Sequence, residues 1–192
     1  MSFILSQLKV LLAVSLILLA GCSQSNKTYV NPANPVVLIS LDGFRYDYIE
    51  KYDAKNLKAL ARGGVRATSM QPSYPTKTFP NHLTLVTGMY PSRHGLVHND
   101  FYDAELEDVY DMGKVKEQPL WLWGTPLWTL AEQNHVRSAT FFWPESDAKI
   151  GGILPSYYHA YNKSTAYQER IDGIMEWLKL PEAQRPGFIT GY

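Results

Sequence analysis

Val36-Val37-Leu38-Ile39-Ser40-Leu41-Asp42-Gly43 is the stretch from which the fold is read. Five aliphatic residues in six, closed by a turn-forming Asp-Gly pair, read as a buried-type strand that ends on a carboxylate. Thirty-six positions later, Pro75-Thr76-Lys77-Thr78-Phe79-Pro80-Asn81-His82 places Thr78 at the mouth of a helix that runs through Leu83, Leu85 and Val86 to Gly88. Pro80 is tolerated in that helix because the first turn has no intrahelical partner for its missing N–H. Between these two stretches, Tyr48 to Arg62 has helical apolar positions at Ile49, Leu57 and Leu60 and is stopped by Gly63-Gly64. Val65 to Met70 reads as a second strand.

Further along, residues 101–124 carry acids and turn formers and read as an extended loop or hairpin region. Leu127, Leu130 and Ala131 then suggest a helix, Ser138 to Phe142 a strand, and Tyr167 to Leu180 an amphipathic helix with Ile171, Ile174, Met175 and Leu178 on one face. Phe188-Ile189-Thr190 reads as one more strand. Strand and helix alternate throughout, so the expected fold is α/β, a mostly parallel sheet flanked by helices with ligands at the carboxyl ends of the strands.

The first 21 residues read as a signal peptide, with Lys9 as the basic end and an apolar run from Leu11 to Ala20 that is short for a membrane span. The run closes with Leu19-Ala20-Gly21-Cys22, which resembles a bacterial lipobox, and Cys22 is the only cysteine. The expectation is a lipidated Cys22, a polar tether over 22–35 with Pro32 and Pro35, and one domain over 36–192. With Ser23 after the cysteine, the expected location is the bacterial cell envelope, lipid-anchored on the periplasmic side of the outer membrane. An ordinary secretory signal is the alternative. A single cysteine excludes a disulfide framework, and 18 basic against 18 acidic residues give no electrostatic case for nucleic-acid binding.

Leu41-Asp42-Gly43-Phe44-Arg45, Pro75 to His82, Thr87-Gly88-Met89-Tyr90-Pro91 and His94-Gly95-Leu96-Val97-His98-Asn99, in this order, resemble the nucleotide pyrophosphatase/phosphodiesterase family of the alkaline phosphatase superfamily. Pro126-Leu127-Trp128, Phe142 to Ser146 and Tyr161-Asn162 with Glu169-Arg170-Ile171 resemble further family segments. The resemblance implies an alkaline-phosphatase-like fold, two divalent metal ions that are zinc, and hydrolysis of nucleotide phosphodiester or pyrophosphate bonds through a phosphothreonine. It makes Asp42 a zinc ligand, Thr78 the nucleophile that also contacts zinc, and Asn99 a donor to the same phosphate. Phe79 and Tyr161 match the pair between which the family stacks a nucleobase, and Trp143 a wall of that pocket. Trp123-Gly124 departs from relatives that carry a lysine before the Gly-x-Pro-x-Trp segment, which leaves base preference open.

Each residue has a plainer reading. Asp42 could start a turn, Thr78 could only cap its helix, Asn99 could be a turn residue, and Phe79, Trp143 and Tyr161 could all be core. His82 reads as a hydrogen-bonded structural histidine. His94 and His98 have helical zinc spacing, but Gly95 argues against a helix there. The family's later ligand segments have no match before Tyr192, so the expectation is a domain incomplete at its C-terminus, poor zinc binding and no activity alone, with the sheet ending on an unpaired last strand. A related metal hydrolase of another phosphate ester and a non-catalytic surface lipoprotein are the alternatives.

Overall fold

A computed structural model describes residues 28–30 and 32–192; the segment read as a signal peptide, Cys22 and half of the expected tether lie outside the described residues. The elements in chain order are strand β1 (Val36–Ile39), helices α1 (Tyr48–Lys51), α2 (Lys55–Gly63), α3 (Thr78–Thr87) and α4 (Pro91–His94), strands β2 (Asp100–Asp103) and β3 (Asp108–Asp111), helix α5 (Leu127–Gln133), strands β4 (Ser138–Phe141) and β5 (Tyr157–His159), helix α6 (Tyr167–Lys179) and strand β6 (Phe188–Gly191). Four strands form a sheet in the order β1-β6-β4-β5. All its pairings are parallel, with Val36 opposite Phe188 and Ser138 opposite the same residue on the other side. The α/β class read from the alternation is the one observed, and β2 and β3 make a separate antiparallel hairpin within the region read as loop or hairpin.

The main core lies between α3, the hairpin and the loops around α5. Leu83, Leu96, Tyr110, Val115, Trp121, Trp128 and Trp143 all meet there, buried. A second cluster beneath the sheet joins Phe141, Phe142 and Ile189 to Trp177 of α6. Gly173 is what lets that helix come so close, since a Cβ there would lie 2.6 Å from the Phe141 ring.

Four expectations are corrected. β1 is not a buried strand: Val36, Val37 and Ile39 are exposed and only Leu38 is half-buried. β6 is not the open edge either, since it is paired on both sides and β1 and β5 are the edges. Val65–Met70 forms no strand, because its alternation has no neighbouring strand to bond to, and Val65 stands fully in solvent. The Tyr48–Arg62 helix is broken at Tyr52–Ala54, where Asp53 takes a positive φ of 47° that a helix does not permit. Docking also begins before Val36: the Tyr29 hydroxyl donates to Glu132 at 3.0 Å and the Val30 N–H to the His135 carbonyl at 2.7 Å.

Candidate active site

Asp42 sits in the turn just after β1, where Gly43 takes a φ of 68°. Thr78 is the first residue of α3. The helix has no side-chain cap, so the Thr78 hydroxyl is not spent on its own backbone. It donates instead to Asp42 Oδ2 at 3.0 Å, across 36 positions of sequence. The capping alternative for Thr78 therefore fails on geometry. As the first residue of the helix, Thr78 also stands at the positive end of its dipole.

The neighbouring residues fix this pair from both sides. Asn99 Oδ1 accepts the Phe79 N–H at 3.1 Å, which turns the carboxamide's NH2 end, its donor, away from the helix backbone. The Tyr192 hydroxyl donates to Asp42 Oδ2 at 3.0 Å. Burial first, and then the Asp42 carboxylate, push the Tyr192 phenol up to about 12, so it stays a donor at neutral pH. Tyr192 is held in turn by Arg170, whose guanidinium donates to its carbonyl at 3.0 Å and lies over the rings of Phe142 and Tyr167.

His82 is hydrogen-bonded at both ring nitrogens, to the Thr78 carbonyl and to Ser40 Oγ, each at 2.7 Å. A carbonyl can only accept, so Nδ1 carries the proton and Nε2 accepts from the Ser40 hydroxyl. Burial holds this imidazole below its ordinary value. Trp143 donates its indole N–H to the His82 carbonyl at 3.2 Å and packs edge-on against the imidazole.

Of the aromatic residues read as a base pocket, Tyr161 is exposed and meets Phe142 edge-on at 5.5 Å and Tyr192 at 6.4 Å. Phe79 is half-buried and leans on the main core. Trp143 is 2% exposed, beneath His82, and offers no open face. Phe79 thus adjoins Thr78 in the chain, Tyr161 reaches the pair only through Tyr192, and Trp143 supports His82 from below.

His94 and His98 do not come together as ligands. His94 is buried, accepts the Leu96 N–H on Nδ1 and shares Nε2 with the Pro80 carbonyl at 3.1 Å, whereas His98 turns to the Asp100 carbonyl. Among the described residues no group of three or more His, Cys, Asp and Glu side chains gathers as a metal-binding set. Asp42 and Thr78 are oxygen donors of a kind zinc accepts. They fit such a site in chemistry and fall short of it in number.

Sequence reading missed Ser40, Asn81 and Tyr192. Asn81 binds both the N–H and the carbonyl of Ser73, and also the carbonyls of Pro75 and Lys77, so it staples the loop that delivers Thr78. Its place within the Pro75–His82 stretch was the available signal.

The strand-end carboxylate bonded to a helix-mouth hydroxyl stands beyond the carboxyl end of a parallel strand, where α/β proteins place their ligand sites. The model of the family described as type I phosphodiesterase / nucleotide pyrophosphatase matches residues 36–192, and the chain belongs to that family. It is 44% identical over 161 residues to bovine ectonucleotide pyrophosphatase/phosphodiesterase family member 3, covering 82% of this chain and 18% of that one. The venom phosphodiesterase of Naja atra is 41% identical over 162 residues, covering 83% and 20%. Murine ectonucleotide pyrophosphatase/phosphodiesterase 5, solved as an inactive threonine-to-alanine form in complex with AMP, aligns at a TM-score of 0.77 and 30% identity, over 83% of this chain and 42% of that one. The chain thus spans about a fifth of the curated relatives it matches and under half of the solved one.

These relatives correct the expected location. They are animal proteins, named as ectonucleotide or venom enzymes, and not lipid-anchored proteins of a bacterial envelope. Among the described residues no helix is long and apolar enough to cross a membrane.

Proposed function

We propose that this chain carries the nucleophile side of a hydrolase site that cleaves nucleotide phosphodiester or pyrophosphate bonds, with Thr78 as the attacking group. The observation that carries the reading is the 3.0 Å hydrogen bond between Thr78 Oγ1 and Asp42 Oδ2 at the mouth of α3. The inactivity of the threonine-to-alanine murine relative, and the AMP bound to it, support the same assignment.

In this reading two zinc ions would complete the site, and Asp42 and Thr78 would help to hold one of them. Bound there, zinc would favour the alkoxide of Thr78 and withdraw charge from the phosphate. Thr78 Oγ1 gives up its proton and forms a bond to phosphorus, while the bond from phosphorus to the leaving oxygen breaks and that oxygen takes a proton. Water then cleaves the phosphothreonine, which releases the nucleoside monophosphate and restores the hydroxyl. The Asn99 carboxamide and the Thr78 N–H donate to the phosphate oxygens as charge develops. Phe79 and Tyr161 sandwich the base, and Trp143 backs the floor through His82.

The test is hydrolysis of the p-nitrophenyl ester of thymidine 5′-phosphate by this chain joined to the C-terminal part of a relative and loaded with zinc. Thr78→Ala is expected to lower turnover about a thousandfold or more, and acid quenching of the parent should trap phosphate on Thr78. Turnover within about tenfold of the parent would remove Thr78 from the role.

A further inference from the structure

We propose that His82 is a positioning residue that sets the Asp42–Thr78 distance by clamping the end of β1 to the first turn of α3. This deepens the reading of Thr78 and Asp42 above and rests on it. The two halves of the pair arrive on different elements. Asp42 follows an edge strand whose own side chains are mostly exposed, and Thr78 begins a helix whose Leu83 and Val86 are in the core. A strand end held only by its partner on one side is free to shift relative to such a helix unless something ties the two.

His82 is that tie. One ring nitrogen holds the backbone carbonyl of Thr78, the residue whose hydroxyl faces Asp42, at 2.7 Å. The other holds Ser40 Oγ at 2.7 Å across 42 positions. Ser40 lies two residues before Asp42, and both side chains reach α3, Ser40 through His82 and Asp42 through Thr78. The imidazole cannot swing out of the bridge. Trp143 packs edge-on against it at 5.2 Å and Tyr192 edge-on at 5.0 Å. The Trp143 indole N–H also holds the His82 carbonyl. Any buried imidazole needs partners for both nitrogens; what is particular to His82 is that its two partners lie beside Asp42 and on Thr78 itself.

Each half of the clamp can be removed by itself. His82→Leu keeps much of the volume and loses both bonds; His82→Asn keeps a donor for the Thr78 carbonyl and loses the reach to Ser40; Ser40→Ala loses only the β1 side. In the zinc-loaded extended protein, His82→Leu is expected to lower kcat about tenfold to a hundredfold, the scale of a misplaced reacting group, with KM little changed. Ser40→Ala should lower kcat less, and should add nothing in the His82→Asn background, because both remove the same bond. On the chain of residues 1–192 without metal, long-range proton–nitrogen spectra should show His82 as the Nδ1–H tautomer, and Ser40→Ala should move the Nε2 resonance and the amide signals of Asp42 and Gly43.

Additive losses for Ser40→Ala and His82→Asn, an Nε2–H tautomer, or a fall in melting temperature with kcat unchanged below it would each overturn the proposal. Thr78→Ala run alongside separates the two readings. If that variant keeps turnover, the nucleophile assignment fails, while the tautomer and the Ser40-dependent shifts still report whether the clamp exists.

Discussion

Two regions of this molecule carry large apolar side chains and hold them in opposite environments. Around Trp128, Trp143 and Tyr110, large side chains are at most 2% exposed, covered by α3, the β2–β3 hairpin and the loops near α5. Along β1 and the segment after it, Val36, Ile39, Leu60 and Val65 are 53–101% exposed, and neither α1 nor α2 buries a single residue. Hydropathy is the same in kind; cover is what differs. Thr78 is rooted in the packed region and Asp42 in the bare one, so the candidate site lies on the seam between them.

Stability measurements should expose that seam. Trp128→Ala is expected to cost about 3–5 kcal/mol in urea unfolding, the scale for emptying a buried aromatic site. Ile39→Ala, on the bare side, should cost less than about 1 kcal/mol because half the side chain is already in water. Equal losses at the two positions would mean that β1 is covered in solution and would break the comparison.

A second test sharpens the packed side. Glu145 is buried at a positive φ of 61° and accepts from the Tyr110 hydroxyl at 2.5 Å and the Gly113 N–H at 3.0 Å, while its second oxygen finds no partner among the described residues. Burial outweighs those donors and pushes its carboxyl from 4.5 up to about 7. The native state then holds a proton that the unfolded chain has released between these values, so Glu145 lowers stability as pH rises through that window. The full cost, about 3 kcal/mol, is present above it. Comparing Glu145→Gln with the parent by urea unfolding at pH 5 and pH 8 should show the variant gaining at pH 8. An equal effect at pH 5 and pH 8 would mean that burial does not shift this carboxyl.

The smallest effect is expected on metal. Two oxygen donors do not hold zinc tightly, so a colorimetric zinc titration of residues 1–192 should show no tight site, and Asp42→Asn should leave it unchanged. Two tight sites would place further ligands close to the seam.

What could be read from the sequence follows the range of the interactions involved. The helix at Tyr167–Lys179 and the strands at Ser138 and Phe188 carry their own periodicity and were legible. Asp42 and Thr78 were legible as a strand end and a helix mouth. Whether the Thr78 hydroxyl caps its helix or reaches a partner was not, because that partner is 36 positions away. β5 was missed because Tyr157-Tyr158-His159 is three residues of weak pattern, stabilised as a strand by the open edge of β4. The exposure of β1 was missed for a different reason: five aliphatics in six report what would gain from burial and not what covers it. Trp143 shows the converse, since a residue read as a pocket wall is enclosed beneath His82.

The central place of β6 bears on how the molecule is made. β1 is among the first segments of the domain to leave the ribosome, yet its sheet partner, Phe188–Gly191, is the last strand of the described chain. At ~5–20 residues per second, the roughly 150 residues between them take about 10–30 s to synthesise. Throughout that interval Val36-Val37-Leu38-Ile39 waits for the one strand it bonds to among the described residues. The pairing that brings Asp42 into place is therefore a late event in the life of the nascent chain.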